Sequence, residues 1–231
     1  MVDRIARAPA DGGGSLGTVF GGAQAGVGGA RQSLNGITVE RLTGAPLKAR
    51  LGDLAQLRIA VFRTFPYLYE GTPEYEARYL KTYAASPDSA IVAAFDGDRL
   101  VGAATGLPLE HEPAYVRDPV EKYGLDVGRV FYFGESVLLP VYRGRGIGVA
   151  FFEQREAHAR ALGRFRTILF CAVDRPAGHP RRPEGYQPLD DFWRRRGYHP
   201  VPGLACAFSW RDLDESEESP KRMLFWRKDI A

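Results

Sequence analysis

The stretch that decides the fold is VLLPVYRGRGIGVAFFEQREAHARALG, residues 137–163, and its centre is RGRGIG, Arg143 to Gly148. An apolar run typical of a strand precedes this centre, and a helical pattern over residues 146–162 follows it and ends at Gly163. A helix start presents unpaired N–H groups and the positive end of the helix dipole. Glycines let a ligand approach the backbone closely, and two arginines add charge. The stretch therefore predicts a strand, a phosphate-binding loop and a helix.

Two nucleotide-binding motifs with similar glycines do not fit. A P-loop requires Lys followed by Ser or Thr after its last glycine, whereas Val149 and Ala150 follow Gly148. A dinucleotide fingerprint that starts at Gly144 finds Gly146 but then meets Val149 where its third glycine should stand. A nicotinamide-dependent enzyme is therefore disfavoured.

Hydrophobic periodicity extends this central unit in both directions. Predicted strands cover residues 37–42, 89–95, 99–109, 130–140, 166–173, 204–213 and 221–229. Predicted helices cover residues 47–61, 73–83, 146–162 and 189–198, and the second begins at Thr72-Pro73. The order predicts an α/β domain with a mixed sheet, in which antiparallel strands flank one central βαβ unit.

Composition bounds the remaining possibilities. Residues 1–36 hold 10 of the 27 glycines and are predicted to be a flexible tail, so the domain is expected to span 37–231. A net charge of +3 gives no indication of nucleic-acid binding. No run is long and apolar enough for a membrane span or a signal peptide, and Cys171 and Cys206 are predicted to be free buried thiols. We expect a cytoplasmic protein without membrane or nucleic-acid partners.

The segment LPVYRGRGIG resembles motif A of the GNAT superfamily, the acyl-CoA-dependent N-acyltransferases. The motif is Arg/Gln-x-x-Gly-x-Gly/Ala, which Arg143, Gly146 and Gly148 match, and Pro140 stands at its common preceding proline. The order of elements from 37 to 229 resembles that fold as well. The resemblance implies a mostly antiparallel sheet of about seven strands flanked by about four helices, with the central βαβ unit carrying the loop for the coenzyme A pyrophosphate.

The resemblance also implies how acetyl-CoA would bind as co-substrate. The pyrophosphate would lie on the loop, and the pantetheine arm would add to the strand edge that precedes it. Backbone N–H groups near Val137 would contact the oxyanion. The implied cofactor-binding residues are Val137, Leu138, Leu139, Arg143, Gly144, Arg145, Gly146, Ile147 and Gly148.

A carboxylate in an apolar strand is the natural candidate for the base that acyl transfer to an amine requires. Glu135 is the only acid of VFYFGESVLLP and could act directly or through water; the alternative is a salt bridge. Tyr132 is the competing candidate, and strand parity puts it on the opposite face unless a bulge intervenes. A metal is not expected, because His179 has no partners at a suitable spacing.

The sequence departs from the family pattern in the next motif. Trp193 stands where a tyrosine often protonates the departing thiolate, and an indole is no usable acid. Core packing is the favoured interpretation of Trp193. The acid could be dispensable, or Tyr186, Tyr198 or Cys171 could replace it.

Residues 61–80 are expected to form the acceptor side. Phe65, Tyr67 and Tyr69 would supply rings with one apolar and one wet side, and Glu70 could attract a cationic amine. The alternative is a hydrophobic loop that caps the core. The Pro/Arg-rich link 174–188 is either a wall of the acceptor site or a solvated loop.

The resulting hypothesis is an N-acetyltransferase that uses acetyl-CoA to modify a primary amine of a small molecule. The alternatives are acetylation of a protein N-terminus or lysine, and a catalytically weak CoA-binding sensor, which the missing tyrosine keeps open. The acyl length and the choice between monomer and homodimer stay open.

Overall fold

The computed structural model describes residues 31–230 as one mixed sheet with helices on both faces. Its strand order is β1-β2-β3-β4-β5-β7-β9-β8, and β6 pairs with β4 beside β5. Only β5 and β7 run parallel, and α5 connects the two halves of the sheet between β6 and β7. The strands are β1 (Gln32–Leu34), β2 (Ile37–Leu42), β3 (Ala90–Asp96), β4 (Arg99–Pro108), β5 (Val130–Tyr132), β6 (Ser136–Leu138), β7 (Thr167–Val173), β8 (His199–Trp210) and β9 (Ser219–Asp229).

The helices cover the two faces of the sheet. Tyr83 and Leu54 pack on one face, and Phe151 and Ile147 of the central helix pack on the other. Among residues 31–230 no helix is long and apolar enough to cross a membrane. The helices are α1 (Gly44–Ala49), α2 (Leu51–Phe62), α3 (Pro73–Ala85), α4 (Ala114–Lys122), α5 (Ile147–Ala161) and α6 (Asp190–Arg194), with short 3₁₀ turns at Leu109–His111, Val127–Arg129 and Pro140–Tyr142.

The predicted mixed sheet and central βαβ unit are confirmed, and the counts differ for identifiable reasons. The predicted strand 130–140 is interrupted after Tyr132 and becomes β5 and β6. The predicted first helix is two helices that meet at Arg50. The sequence pattern also missed α4, which contains Pro119, a residue that normally ends a helix.

Residues 31–36 do not belong to a tail, which corrects the predicted boundary. Residues 32–34 pair with β2 through a tight turn at Asn35 and Gly36, both of which have positive φ, as a two-residue hairpin turn requires. Leu34 packs against the core on the side of α5. The rest of the predicted tail, residues 1–30, lies outside the described residues and stays a prediction.

Two deletions are expected to separate the tail from the edge strand. Removing residues 1–36 should lower the melting temperature, because it strips β1 from β2 and uncovers Ile37, which is buried. Removing only residues 1–30 should change it little. Thermal unfolding of both proteins beside the full chain measures the difference, and equal losses would contradict the new boundary.

Candidate active site

The candidate site begins where two central strands separate. β5 pairs with β7 as far as Tyr132, and the last link between them is the Phe133 N–H, which donates to Leu169 O at 2.8 Å. Beyond this point the chain turns toward β4: the Gly134 N–H donates to Thr105 O at 3.2 Å, and β6 then continues along β4. The facing edges of β6 and β7 are therefore left open.

The hydrogen bonds of β6 show which backbone groups face this opening. The Thr105 N–H donates to Glu135 O, and the Leu139 N–H donates to Val101 O, both at 3.0 Å. Bonding residues alternate along an antiparallel strand. The odd-numbered residues around β6 therefore direct their backbone groups to β4.

Ser136 and Leu138 consequently present their backbone N–H and C=O groups to the open side. The family resemblance implied a pantetheine edge over Val137, Leu138 and Leu139 and an oxyanion contact from N–H groups near Val137. In the observed register Val137 is paired with Ala103 of β4, so the open N–H groups nearest to it are those of Ser136 and Leu138.

Arg155 of α5 stabilises the chain where the strand is interrupted. Its Nη1 donates to Thr105 O at 3.0 Å and to Glu135 O at 3.2 Å, and its Nη2 donates to Ser136 Oγ at 2.8 Å. The guanidinium also lies 4.0 Å from the centre of the Phe133 ring. Both carbonyls also accept a backbone N–H, Thr105 O from Gly134 and Glu135 O from Thr105, so Arg155 adds a second hydrogen bond to each. Burial lowers the pKa of Arg155 to about 10.

Gly134 is required by this local path. A Cβ at this position would lie 1.8 Å from the hydroxyl oxygen of Tyr83 and 2.7 Å from Oγ1 of Thr105. The irregular segment around Gly134 brings Tyr132 and Glu135 to the same cavity, which simple strand parity would have put on opposite faces.

That cavity is called here the aromatic cleft, and it is partly open to solvent. Rings from three helices, the 63–72 loop and the sheet form most of its wall. Its lining residues are Arg58, Phe62, Tyr67, Tyr69, Tyr75, Tyr79, Tyr115, Tyr132, Gly134, Glu135, Cys171, Phe208, Trp210 and Met223.

A buried ion network holds Glu135 at one end of the cleft. Arg58 Nη1 lies 2.6 Å from Glu135 Oε2, and Arg58 Nε donates to Glu76 Oε2. The Tyr79 hydroxyl also donates to Glu135 Oε2, at 3.0 Å. Burial alone would lower the pKa of Arg58, but Glu135, Tyr79 and Glu76 raise it well above its ordinary value. The other oxygen, Glu135 Oε1, is buried without a partner among the described residues.

A second carboxyl lies buried in the same region. Glu112 is 4 % exposed, and its Oε1 has no partner among the described residues. Burial, followed by the charge of Glu135, raises the pKa of Glu112 to about 8. Sequence analysis did not single this residue out, because it precedes a helix that was not predicted.

The raised pKa predicts how stability depends on pH. Between about pH 4.5 and about pH 8 the folded protein holds a proton on Glu112 that the unfolded chain has lost, so the free energy of unfolding falls as pH rises. Glu112→Gln should remove this contribution, which is worth up to ~1.4 kcal/mol per pH unit. Urea unfolding across this range measures it, with Glu121→Gln on the exposed side of α4 as control. Equal pH dependence in wild type and Glu112→Gln would contradict the assignment.

Tyr132 does not suit the role of base that the sequence allowed it. Burial, followed by Cys171, raises the pKa of Tyr132 well above its ordinary value, so the phenol stays protonated. Its hydroxyl lies 3.0 Å from Cys171 Sγ. Cys171 is a free thiol, as is Cys206, in agreement with the prediction for both.

The other candidates for a proton donor lie in different surroundings. Trp193 packs against Phe170 and Trp226 with ring centres 5.0 and 4.9 Å apart, in the core beside α6. The Tyr198 hydroxyl donates to a buried glutamate behind the sheet, and Tyr186 packs edge-on against Phe65. None of these residues lines the aromatic cleft.

The predicted acceptor residues divide into two pairs. Tyr67 and Tyr69 line the cleft, whereas Phe65 and Glu70 do not. Glu70 is partly exposed and forms an ion pair with Arg211 at 2.8 Å, so its charge is already matched outside the cleft. The prediction that Glu70 attracts an amine therefore has no geometric support.

The 63–72 loop is fastened over the cleft by a buried ion pair. Arg175 forms a two-pronged pair with Asp212, at 2.7 and 2.8 Å. The same guanidinium donates to the carbonyls of Pro66 and Tyr67, each at 2.7 Å. Trp210 Nε1 donates to Asp212 Oδ1 at 2.8 Å. Part of the link 174–188 is thus structural, and Arg175 is not free to hold a substrate carboxylate.

The glycine loop has the backbone that its sequence predicts. Gly144 and Gly146 have φ of +76° and +83°, and Gly146 is the N-cap of α5. A Cβ on either glycine would meet no protein atom within 4 Å. Gly148 serves a different purpose: a Cβ there would lie 3.3 Å from the ring of Phe192, so this glycine admits α6 against α5.

Comparisons with known proteins agree with this arrangement. Among solved structures, NAA60 of Arabidopsis thaliana in complex with acetyl-CoA is similar at 14 % identity and a TM-score of 0.54, covering 84 % of this chain and 98 % of that one. A ribosomal-protein-alanine N-acetyltransferase from Brucella melitensis matches at 14 % and 0.53, covering 83 % and 99 %. The Salmonella typhimurium protein yncA, solved with its cofactor acetyl-CoA, matches at 11 % and 0.53, covering 85 % and 95 %.

At such identities these structures show a shared fold. No curated protein matches the sequence. The sequence model of the acetyltransferase (GNAT) family, however, matches residues 54–182, which include most of α2, the strands β5, β6 and β7, and the whole glycine loop. The chain therefore belongs to the GNAT family of acetyltransferases, which are acyl-CoA-dependent N-acyltransferases.

Proposed function

We propose that this protein transfers an acetyl group from acetyl-CoA to the primary amine of a small molecule bound in the aromatic cleft. One observation carries the proposal: Glu135 lines the aromatic cleft beside the open edge of β6, and its Oε1 is buried without a partner among the described residues. A carboxylate at that point can take the proton of an amine acceptor, and the adjacent strand edge can pair with the pantetheine amides of a thioester donor.

The donor side uses the glycine loop and β6. The N–H groups at the start of α5 and the charges of Arg143 and Arg145 suit the pyrophosphate of acetyl-CoA. The groups of Ser136 and Leu138 that face the opening suit the amides of the pantetheine arm. This route leads from the loop to the cleft along one strand.

The acceptor side assigns a role to each polar group. The amine nitrogen attacks the thioester carbon, the C–S bond breaks, and the amine loses a proton to Glu135 through Oε1, because Oε2 is occupied by Arg58 and Tyr79. A phenol with a raised pKa is a poor acid, so Tyr132 is assigned a hydrogen bond to the departing sulfur. Solvent then supplies the proton to the thiolate.

Thiol release from acetyl-CoA over a panel of amines tests the proposal. Turnover that depends on a small amine supports it. Turnover with peptides or protein N-termini alone would select a protein acetyltransferase instead. Tight acetyl-CoA binding with no turnover on any amine would select a sensor.

A further inference from the structure

We infer that the acceptor is a hydrophobic primary monoamine without a carboxylate, for which phenylethylamine serves as the probe. This inference rests on the proposed function and names the class of substrate that the cleft takes. It follows from three properties of the cleft. Its cation is already paired, one carboxylate oxygen of Glu135 has no partner among the described residues, and the rest of the wall consists mainly of aromatic rings.

Within residues 31–230, the only cation that lines the cleft is Arg58, and it is already fully engaged. Arg58 is 6 % exposed and lies between Glu76 and Glu135. Its guanidinium is also stacked over the ring of Tyr79, at 4.2 Å, and over that of Phe62, at 5.1 Å. A substrate carboxylate would have to displace a buried ion pair to reach this group, which is strongly unfavourable.

The arginines of the link 174–188 give no substitute. Arg175 is held by Asp212, Arg181 lies 3.2 Å from Asp214, and Arg182 lies over the ring of Tyr186 at 5.0 Å. None of the three lines the aromatic cleft. A carboxylate on the acceptor would therefore be buried next to Glu135 without a cation, so the cleft should reject amino acids.

An amine, in contrast, meets a group that lacks a partner. Glu135 Oε1 is a buried acceptor without a hydrogen bond among the described residues, which costs free energy until a donor arrives. Arg58, Glu76 and Glu135 together carry one excess negative charge when both carboxylates are ionised. One ammonium or amine group on the substrate matches this site, and a second cation would find no partner on the cleft wall.

The rest of the cleft wall suits the apolar hydrocarbon part of an amine substrate. Two of the tyrosine hydroxyls are engaged away from a ligand: Tyr69 donates to Glu76 and Tyr79 donates to Glu135. Their rings therefore offer apolar faces. Rings and thioether groups of this kind favour an aryl or compact hydrocarbon group through burial and edge-to-face contacts.

The test compares amines that differ in one feature. With acetyl-CoA saturating, kcat/KM for phenylethylamine should exceed that for phenylalanine, which adds only the carboxylate, by at least about 100-fold, the scale of an unpaired buried charge. It should also exceed that for spermidine and for an alanine-initiated peptide. Equal or higher values for any of these three would overturn the inference.

Two tyrosines with matched exposure give the variant test. Tyr115 is 43 % exposed, lines the cleft and packs edge-on against Phe208 at 5.2 Å, whereas Tyr123 is 44 % exposed and lies beyond the end of the same helix. Tyr115→Ala should raise KM for phenylethylamine about tenfold and leave KM for acetyl-CoA unchanged. Tyr123→Ala should change neither. Equal effects of the two variants would contradict the assigned wall.

Binding separates this inference from the proposed function. If acetyl-CoA binds but no amine is turned over, the proposed acetylation is contradicted. Calorimetry on the protein saturated with CoA still measures how tightly an amine binds in the cleft. Phenylethylamine should then bind at least tenfold more tightly than phenylalanine. Equal binding, or binding of neither, would overturn the inference on its own terms.

Discussion

Glu135→Gln is expected to lower kcat by about 10²- to 10⁴-fold, the usual contribution of a general base. Glutamine keeps the shape of the side chain but cannot accept the amine proton. The KM for acetyl-CoA should hardly change, because the glycine loop assigned to the pyrophosphate does not line the cleft that holds Glu135. Part of the lost rate should return as pH rises, since more of the amine is then already neutral. Steady-state kinetics as a function of pH measures all three effects.

Glu156→Gln is the matched control for this variant. Glu135 and Glu156 are both 7 % exposed and both ion-paired, but Glu156 accepts from Tyr198 and Lys228 behind the sheet, away from the cleft. Both substitutions should lower the melting temperature, because each removes a partner from a buried charge. Only Glu135→Gln should lower kcat. A destabilised Glu135→Gln enzyme with normal kcat would make Glu135 a purely structural partner of Arg58.

Gly146→Val is expected to weaken acetyl-CoA binding by about 100-fold, the loss of one or two hydrogen bonds to a charged group. Valine at φ of +83° strains the backbone, and its side chain points where no protein atom lies within 4 Å, into the space assigned to the pyrophosphate. Calorimetric titration with acetyl-CoA gives the affinity.

Gly163→Val is the control that distinguishes the effect of backbone strain from the effect of blocking the pyrophosphate. Gly163 has φ of +73°, also faces open space and follows the other end of α5. Both valine variants should lose a similar amount of stability, but Gly163→Val should keep wild-type affinity. Equal affinities in the two variants would remove the phosphate-binding role of the loop.

The sequence predicted the parts of the site that depend on local pattern. The glycine loop could be foreseen because positive φ and a helix start leave a signature within six residues. Glu135 could be foreseen because it is the only acid of an apolar strand. Tyr67 and Tyr69 could be foreseen because they belong to an aromatic-rich loop, and both line the cleft.

The parts that were missed depend on contacts between distant segments. The strand break after Tyr132 was invisible, because residues 130–140 form one apolar run, and the cause is the close approach of Tyr83 and Arg155. Arg58 left a signal, a lone cation on the apolar face of α2, but its pairing with Glu135 is tertiary. Tyr115 was missed because its helix, α4, contains Pro119 and was therefore not predicted.

The central claim is that the aromatic cleft is an amine site served by acetyl-CoA, and a single-turnover experiment tests it most directly. The protein, acetyl-CoA and phenylethylamine are mixed, and mass spectrometry follows the amine while a thiol reagent follows CoA. We expect N-acetylated amine to appear in equal amount to free CoA and at the same rate. Glu135→Gln should slow the formation of the amide and the release of CoA together. Free CoA without acetylated amine, or acetylated amine formed equally fast by Glu135→Gln, would contradict it.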